Sequence, residues 1–279
     1  MYSTITLAKK YVQYYFKASN GKGHGVHSPF VYQFIKEVLN QKKPTDLFAP
    51  IEAVRKQLLQ NKKMVKVWDR GAGSRQTGDN TRAICQIAKA ALKPKKYSAL
   101  LHQIVVYFKP VNVLEMGTSL GITTSYLAAA NPLGEVVTME GAPTIAELAR
   151  ENFNKLGIEH IRIIEGDFDT TLPVYLNEIQ KLGLAYVDGN HKYEPTIRYF
   201  KNLMDKSDEH TVLIFDDIHW SAEMERAWEF IKNTAEVTLT IDLFFIGLVF
   251  FRKAQKEKEH FIINPNKTIS SHLFERIRF

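Results

Sequence analysis

Residues 111–121 read VNVLEMGTSLG and continue into ITTSYLAAA at residues 122–130. An apolar run ending in an acid, then a glycine bend, then a stretch with helical spacing is the strand, turn and helix that opens an α/β unit. The pattern then recurs downstream. VVTMEG (136–141) reads as a second strand, and PTIAELARENFNKLG as a helix opened by Pro143 and closed by Gly157. IRIIEGD (161–167), LAYVDG (184–189) and TVLIFDD (211–217) are three more short strands, separated by helix-length segments. EVTLTIDLF (236–244) and IGLVFFRK (246–253) are joined too tightly for a crossover and predict an antiparallel hairpin. The sum is an α/β fold with about seven strands in an open, mostly parallel sheet, its last strand antiparallel and closing one edge.

Working outward, SPFVYQFIKEVLN, PIEAVRKQLLQ, NTRAICQIAKAAL and SALLHQIVVYF read as helices ahead of this Rossmann-like region. The expected organisation is a helical cap at 1–97, the α/β domain at 98–255 and a surface extension at 256–279. The chain has 279 residues and a net charge of +7, but its two parts differ in sign. Through Pro110, 20 Lys and Arg face 5 Asp and Glu; beyond it, 17 face 25. A basic N-terminal part suits an anionic partner such as RNA, or serves as a solvated layer against its own acidic neighbour. The single cysteine, Cys85, excludes an intramolecular disulfide framework and a thiolate zinc cluster. The longest apolar run is broken by Asp242 and Gly247, short of a membrane span, and the N-terminus carries Lys9 and Lys10 where a secretory signal is apolar. A cytoplasmic protein with no membrane partner is expected.

In open sheets of this kind ligands collect beyond the carboxyl ends of the strands. Six acids stand there: Glu115, Glu140, Asp167, Asp188, Asp216 and Asp217. Two glycine segments compete for a nucleotide. VKVWDRGAGS, with Gly71 and Gly73, is not followed by an acid-tipped strand; the bend of Glu115, Gly117 and Gly121 is, with Glu140 ending the next strand. An acid in that bend repels a pyrophosphate and suits an amino-bearing ligand, while Glu140 suits two ribose hydroxyls. S-adenosylmethionine has both features. A nicotinamide dinucleotide is the poorest fit, because the third glycine spacing is missing.

VLEMGTSLGITTSYLA, VVTMEG, EGDF, YVDGNHKYE and LIFDDIHW resemble the successive motifs of class I S-adenosylmethionine-dependent methyltransferases, over roughly residues 98–253. The likeness is to small-molecule O-methyltransferases of the catechol type and their bacterial relatives; GHGVHSPFVYQFI is similar to the opening of an uncharacterised bacterial group. The resemblance implies that Gly117, Thr118 and Ser119 line the methionine portion, Glu140 holds the ribose, and Asp167 with Phe168 flanks the adenine. It implies methyl transfer to a small hydroxylated acceptor.

Neighbouring strand ends bring Asp188 toward Asp216 and Asp217, and carboxylates that close must share a proton, a cationic side chain or a metal. A hard ion such as Mg²⁺ held by these three is one expectation; pairing to Lys192, Arg198 or a helix N-terminus is the other. His191, three residues past Asp188, is the preferred base, with His219 second. Two further readings stand beside the small-molecule enzyme: an RNA or protein methyltransferase using the basic region, and a non-catalytic nucleoside-binding protein. DGNH, where base-amine methyltransferases usually carry N/D-P-P-Y/F, argues against the first.

Overall fold

The structure is a computed structural model and describes residues 1–23, 26–41, 44–67 and 81–265. The chain divides into two compact units, Lys43–Asn190 with Asn202–Lys206, and Met1–Lys42 with His191–Lys201 and Ser207–Phe279. The N-terminal 97 residues, expected to form a helical cap, contribute to both units, with the boundary after Lys42.

The first unit holds the strands that the sequence marks most strongly. Four pair in parallel, in the order Leu184–Val187, Asn112–Met116, Glu135–Glu140 and Ile161–Glu165. Parallel neighbours need crossovers, and Ile122–Ala130, Pro143–Leu156 and Phe168–Glu178 supply helices between them. Pro143 opens the second of these, and Gly157 closes it at φ 64°, where a side chain would be strained. The expected helices of the N-terminal part form at Ala49–Gln60, Ile84–Ala91 and Lys95–Phe108. Their apolar faces meet the crossover helices in a core that includes Phe48, Ile51, Ile84, Leu120, Tyr126 and Ile145. One segment differs from expectation. Thr81–Ala83, read as the start of a helix, is a strand paired antiparallel with Met64–Lys66; its three residues precede the helical run, which starts only at Ile84. Gly71 and Gly73 lie outside the described residues.

In the second unit five strands run in the order Val212–Asp216, Ile246–Phe250, Leu239–Asp242, Glu259–Asn264 and Ser19–Asn20. The hairpin forms as read, with Gly247 opposite Asp242. Its antiparallel strand does not close the edge, however: Ile246–Phe250 lies between Val212–Asp216 and Leu239–Asp242. Gly247 makes room for this. A Cβ there would stand 2.5 Å from the Trp228 ring, and Trp228 is one of the largest fully buried side chains. The presumed surface extension instead supplies a strand, since Glu259–Asn264 pairs in parallel with Leu239–Asp242.

The helix Thr4–Lys17 had no counterpart in the sequence reading. Ser3 caps it through its Oγ, which accepts from Thr6 N at 3.2 Å, and Tyr14 packs with Phe244 and Ala18. No described helix is long and apolar enough to cross a membrane.

Candidate functional site

The bend after Asn112–Met116 is built from residues in left-handed backbone: Gly117 at φ 110°, Ser119 at 48° and Gly121 at 75°. Gly117 cannot be otherwise, because a Cβ would lie 2.2 Å from the Asp188 carbonyl oxygen. The amides of Gly117 and Thr118 donate to Met139 O at 3.0 and 3.1 Å, which ties the bend to the second strand. Backbone that alternates in this way points amides into a common concavity that attracts an anion. Here the chain supplies its own anion: Ser119 N donates to Glu140 Oε2 at 2.9 Å, while Ala142 N donates to Oε1 at 2.9 Å. Glu140 is therefore held by main chain at both oxygens. Beside it, a Cβ on Gly141 would meet nothing nearer than Gly166 O at 3.8 Å.

Glu115 lies under the bend with none of its surface exposed. Its Oε2 accepts from Thr124 Oγ1 at 2.5 Å and Thr138 Oγ1 at 2.7 Å. With the Thr138 proton committed, the 2.6 Å contact between Thr118 Oγ1 and Thr138 Oγ1 has Thr118 as donor. Thr118, expected to line a ligand, thus turns its side chain into this buried chain and is only 3% exposed. Burial pushes the Glu115 carboxyl up to about 8; the two threonine hydrogen bonds oppose this, and the charges of Asp188 and Glu140 add to it. At neutral pH the group carries its proton. Oε1 has no hydrogen-bond partner among the described residues.

Asp167 caps the helix Phe168–Glu178, its Oδ1 accepting from Asp169 N at 2.8 Å. The Phe168 ring closes on Gly189, where a Cβ would stand 2.6 Å from Cε2. This glycine, next to Asp188, was not singled out from the sequence.

Asp188 accepts from Tyr186 OH at 2.9 Å and faces the Lys93 ammonium at 3.6 Å. Lys93 is in turn positioned from the helix Ala49–Gln60. Arg55 Nη1 donates to the Lys93 carbonyl at 2.7 Å, and Glu52 holds both Arg55 Nε at 2.9 Å and Tyr126 OH at 2.7 Å. A cation beside Asp188 is thus Lys93, a lysine that sequence reasoning missed. Among the described residues no group of three His, Cys, Asp or Glu side chains is arranged to hold a metal ion. Asp188, Asp216 and Asp217, expected to share Mg²⁺, do not form such a group. Asp217 does turn, at φ 53°, its amide donating to Phe245 O at 2.6 Å.

In the second unit His219 is bound at both nitrogens: Nε2 lies 2.8 Å from Asp242 Oδ2 and Nδ1 3.2 Å from Glu225 Oε1. Burial alone would lower its pKa, but the hydrogen bond and charge of Asp242, then those of Glu225, outweigh it and raise the value. Both ring nitrogens of His219 are thus already engaged by carboxylate oxygens. His191 is half-buried ahead of the helix Tyr193–Met204. A cavity of about 340 Å³ in this unit is lined mainly by apolar and aromatic groups, among them Tyr11, Trp220, Phe244 and Phe245, with Thr4, Asp217 and His219 as polar members.

An acid-tipped strand, a left-handed glycine bend and a second acid fixed by that bend define the nucleoside-binding type of Rossmann-like fold. Residues 114–218 match a family model described as a methyltransferase domain. The chain resembles the class I S-adenosylmethionine-dependent methyltransferases, catechol-type O-methyltransferases among them. A catechol O-methyltransferase of Mycobacterium tuberculosis is 35% identical over 86 residues, 27% of this chain and 39% of that one. The O-methyltransferase imqG of Aspergillus flavus is 26% identical over 132 residues, 45% of this chain and 52% of that one. The chain therefore spans less than two thirds of either relative. The solved O-methyltransferase of Bacillus cereus in complex with SAH shares the fold at a TM-score of 0.51 and 20% identity, over 79% of this chain and 97% of that one.

Proposed function

We propose that this protein transfers a methyl group from S-adenosylmethionine to a hydroxyl of a small molecule. The observation that carries the reading is the Glu140 carboxylate, clamped by the Ser119 and Ala142 amides. A carboxylate oriented by main chain loses little freedom when it accepts from two vicinal hydroxyls, which is the preorganisation that favours a ribose. Gly117 and Ser119 would shape the methionine end, and Phe168 the adenine end. When bound, S-adenosylmethionine supplies an electrophilic methyl group. The chain's own work is to hold the acceptor in line and to take its proton. We assign that proton to His191, and to Asp188 the positioning of the loop before it, through Tyr186 and Lys93. No step is routed through Mg²⁺, because the Lys93 ammonium already stands beside Asp188. The apolar cavity is of the size and lining that small-molecule sites have.

Calorimetric titration with S-adenosylhomocysteine tests the reading. Glu140→Ala is expected to weaken binding by about 1.5–3 kcal/mol, roughly 10- to 150-fold, the scale of losing hydrogen bonds to a charged acceptor. An affinity equal to that of the unaltered protein would remove the ribose assignment. In a separate arm, a divalent-ion chelator is expected to leave both binding and turnover unchanged. Turnover that stops with the chelator and returns with Mg²⁺ would restore the shared-ion reading of Asp188, Asp216 and Asp217.

A further inference from the structure

The helix Thr4–Lys17 has two apolar faces, and its own core uses only one. Its inner side is clamped. Tyr11 and Tyr14 pack on the Phe244 ring at centroid distances of 5.0 and 5.1 Å, and Tyr14 OH donates to Ile263 O. Lys10 Nζ donates to both Glu225 oxygens at 2.8 and 2.9 Å, and Tyr2 OH donates to Oε2 at 2.8 Å. These contacts fix the rotation of the helix about its axis. The opposite side therefore faces solvent: Ile5 is 71% exposed, Val12 52% and Phe16 59%. At 100° per residue these three fall within about 40° of one another, and Lys9 lies about 20° beyond one edge of that arc.

We propose that this arc seats the protein on an anionic lipid surface. The charge the helix itself presents to solvent is one-sided: Lys9 and Lys17 are exposed, Lys10 is held by Glu225, and no Asp or Glu precedes Glu37, beside which Lys36 lies. Lysines beside a solvent-facing apolar stripe are the composition of a helix lying in the headgroup region: the stems bury along the acyl boundary and the ammonium groups reach anionic phosphates. Two other occupants fit less well. The core of a protein interface is depleted of lysine, yet Lys9 directly flanks the arc. RNA is recognised through the arginine fork and stacked bases, yet no arginine precedes Arg55. The inference departs from the expectation of no membrane partner, because the pattern emerges only once the inner face of the helix is known. It involves no spanning segment.

Co-sedimentation with phosphatidylcholine vesicles, with and without phosphatidylglycerol, tests this on the full chain. The unaltered protein is expected to bind the anionic vesicles, more weakly as salt is raised, and to leave the neutral ones largely unbound. Ile5→Asp with Phe16→Asp is expected to lower the vesicle partition coefficient about tenfold or more. Lys9→Glu and Lys17→Glu are each expected to lower it by at least about fivefold, on anionic vesicles only. All four side chains are exposed, so thermal midpoints should stay at the unaltered value, which verifies the fold of each variant. Failure of the unaltered protein to bind anionic vesicles overturns the proposal, as does undiminished binding by the variants. It is also overturned if the aspartate pair instead abolishes self-association in lipid-free solution, or if the basic arc retains single-stranded RNA while ignoring vesicles. None of these readouts depends on methyl transfer.

Discussion

Gly117→Ala is expected to lower the free energy of unfolding by about 3–5 kcal/mol, combining the strain of an L-residue at strongly positive φ with that of overpacking a closed site. The geometry leaves no escape: at φ 110° the new Cβ would sit 2.2 Å from the Asp188 carbonyl oxygen. That carbonyl belongs to a backbone run whose Asp188 amide is itself held by Met116 O at 2.9 Å. Relief requires the two strand ends to separate, and this breaks the bend that presents Ser119 N to Glu140. Urea unfolding should show the loss in midpoint, and S-adenosylhomocysteine affinity should fall with it in whatever fraction stays folded. A variant with unchanged midpoint would mean that the bend tolerates a side chain and is not set by this contact.

Glu115→Gln is expected to act in the opposite direction at neutral and higher pH. Burial lifts the native carboxyl to about 8 from its ordinary value of 4.5, so between these values the folded protein binds more protons than the unfolded chain. Stability from this group is then greatest below about pH 4.5 and declines as pH rises toward 8. Glutamine keeps the shape and cannot ionise. Between pH 5 and 8 the unaltered protein should lose on the order of 3 kcal/mol more than the variant. Parallel urea curves at the two pH values would check this; if both proteins respond alike, Glu115 is ionised in the native state and the buried-acid account fails.

These two residues show where sequence was informative. A strand, a glycine bend and a helix at 111–130 are encoded locally, by apolar runs and turn residues, and they appear as read. So do the four parallel strands, since each is followed by a crossover helix. The place of Ile246–Phe250 was not readable, because a tight hairpin reveals one neighbour of a strand and not the other. Glu259–Asn264 was missed because its apolar residues sit behind KEKEH, which reads as solvated. The site divides in the same way. Glu140 and Gly117 were marked by position at strand ends, whereas the turning of Thr118 and Glu115 into one buried hydrogen-bonded chain depends on Thr138 and Thr124. Lys93 lies 95 positions before Asp188 and carries no local signal. Nor does the engagement of His219 by Glu225 and Asp242 at once.

The pairing of Ser19–Asn20 with Ile263 and Asn264 sets a timetable during synthesis. Residues 43–206 contain everything one compact unit needs and are free to collapse as soon as they emerge. The helix Thr4–Lys17 leaves the ribosome ahead of that unit, yet Phe244 and Ile263, on which it docks, are made more than two hundred residues later. At ordinary elongation rates that leaves it exposed for on the order of ten to fifty seconds. A segment made before the whole of the other unit is among the last to find its place.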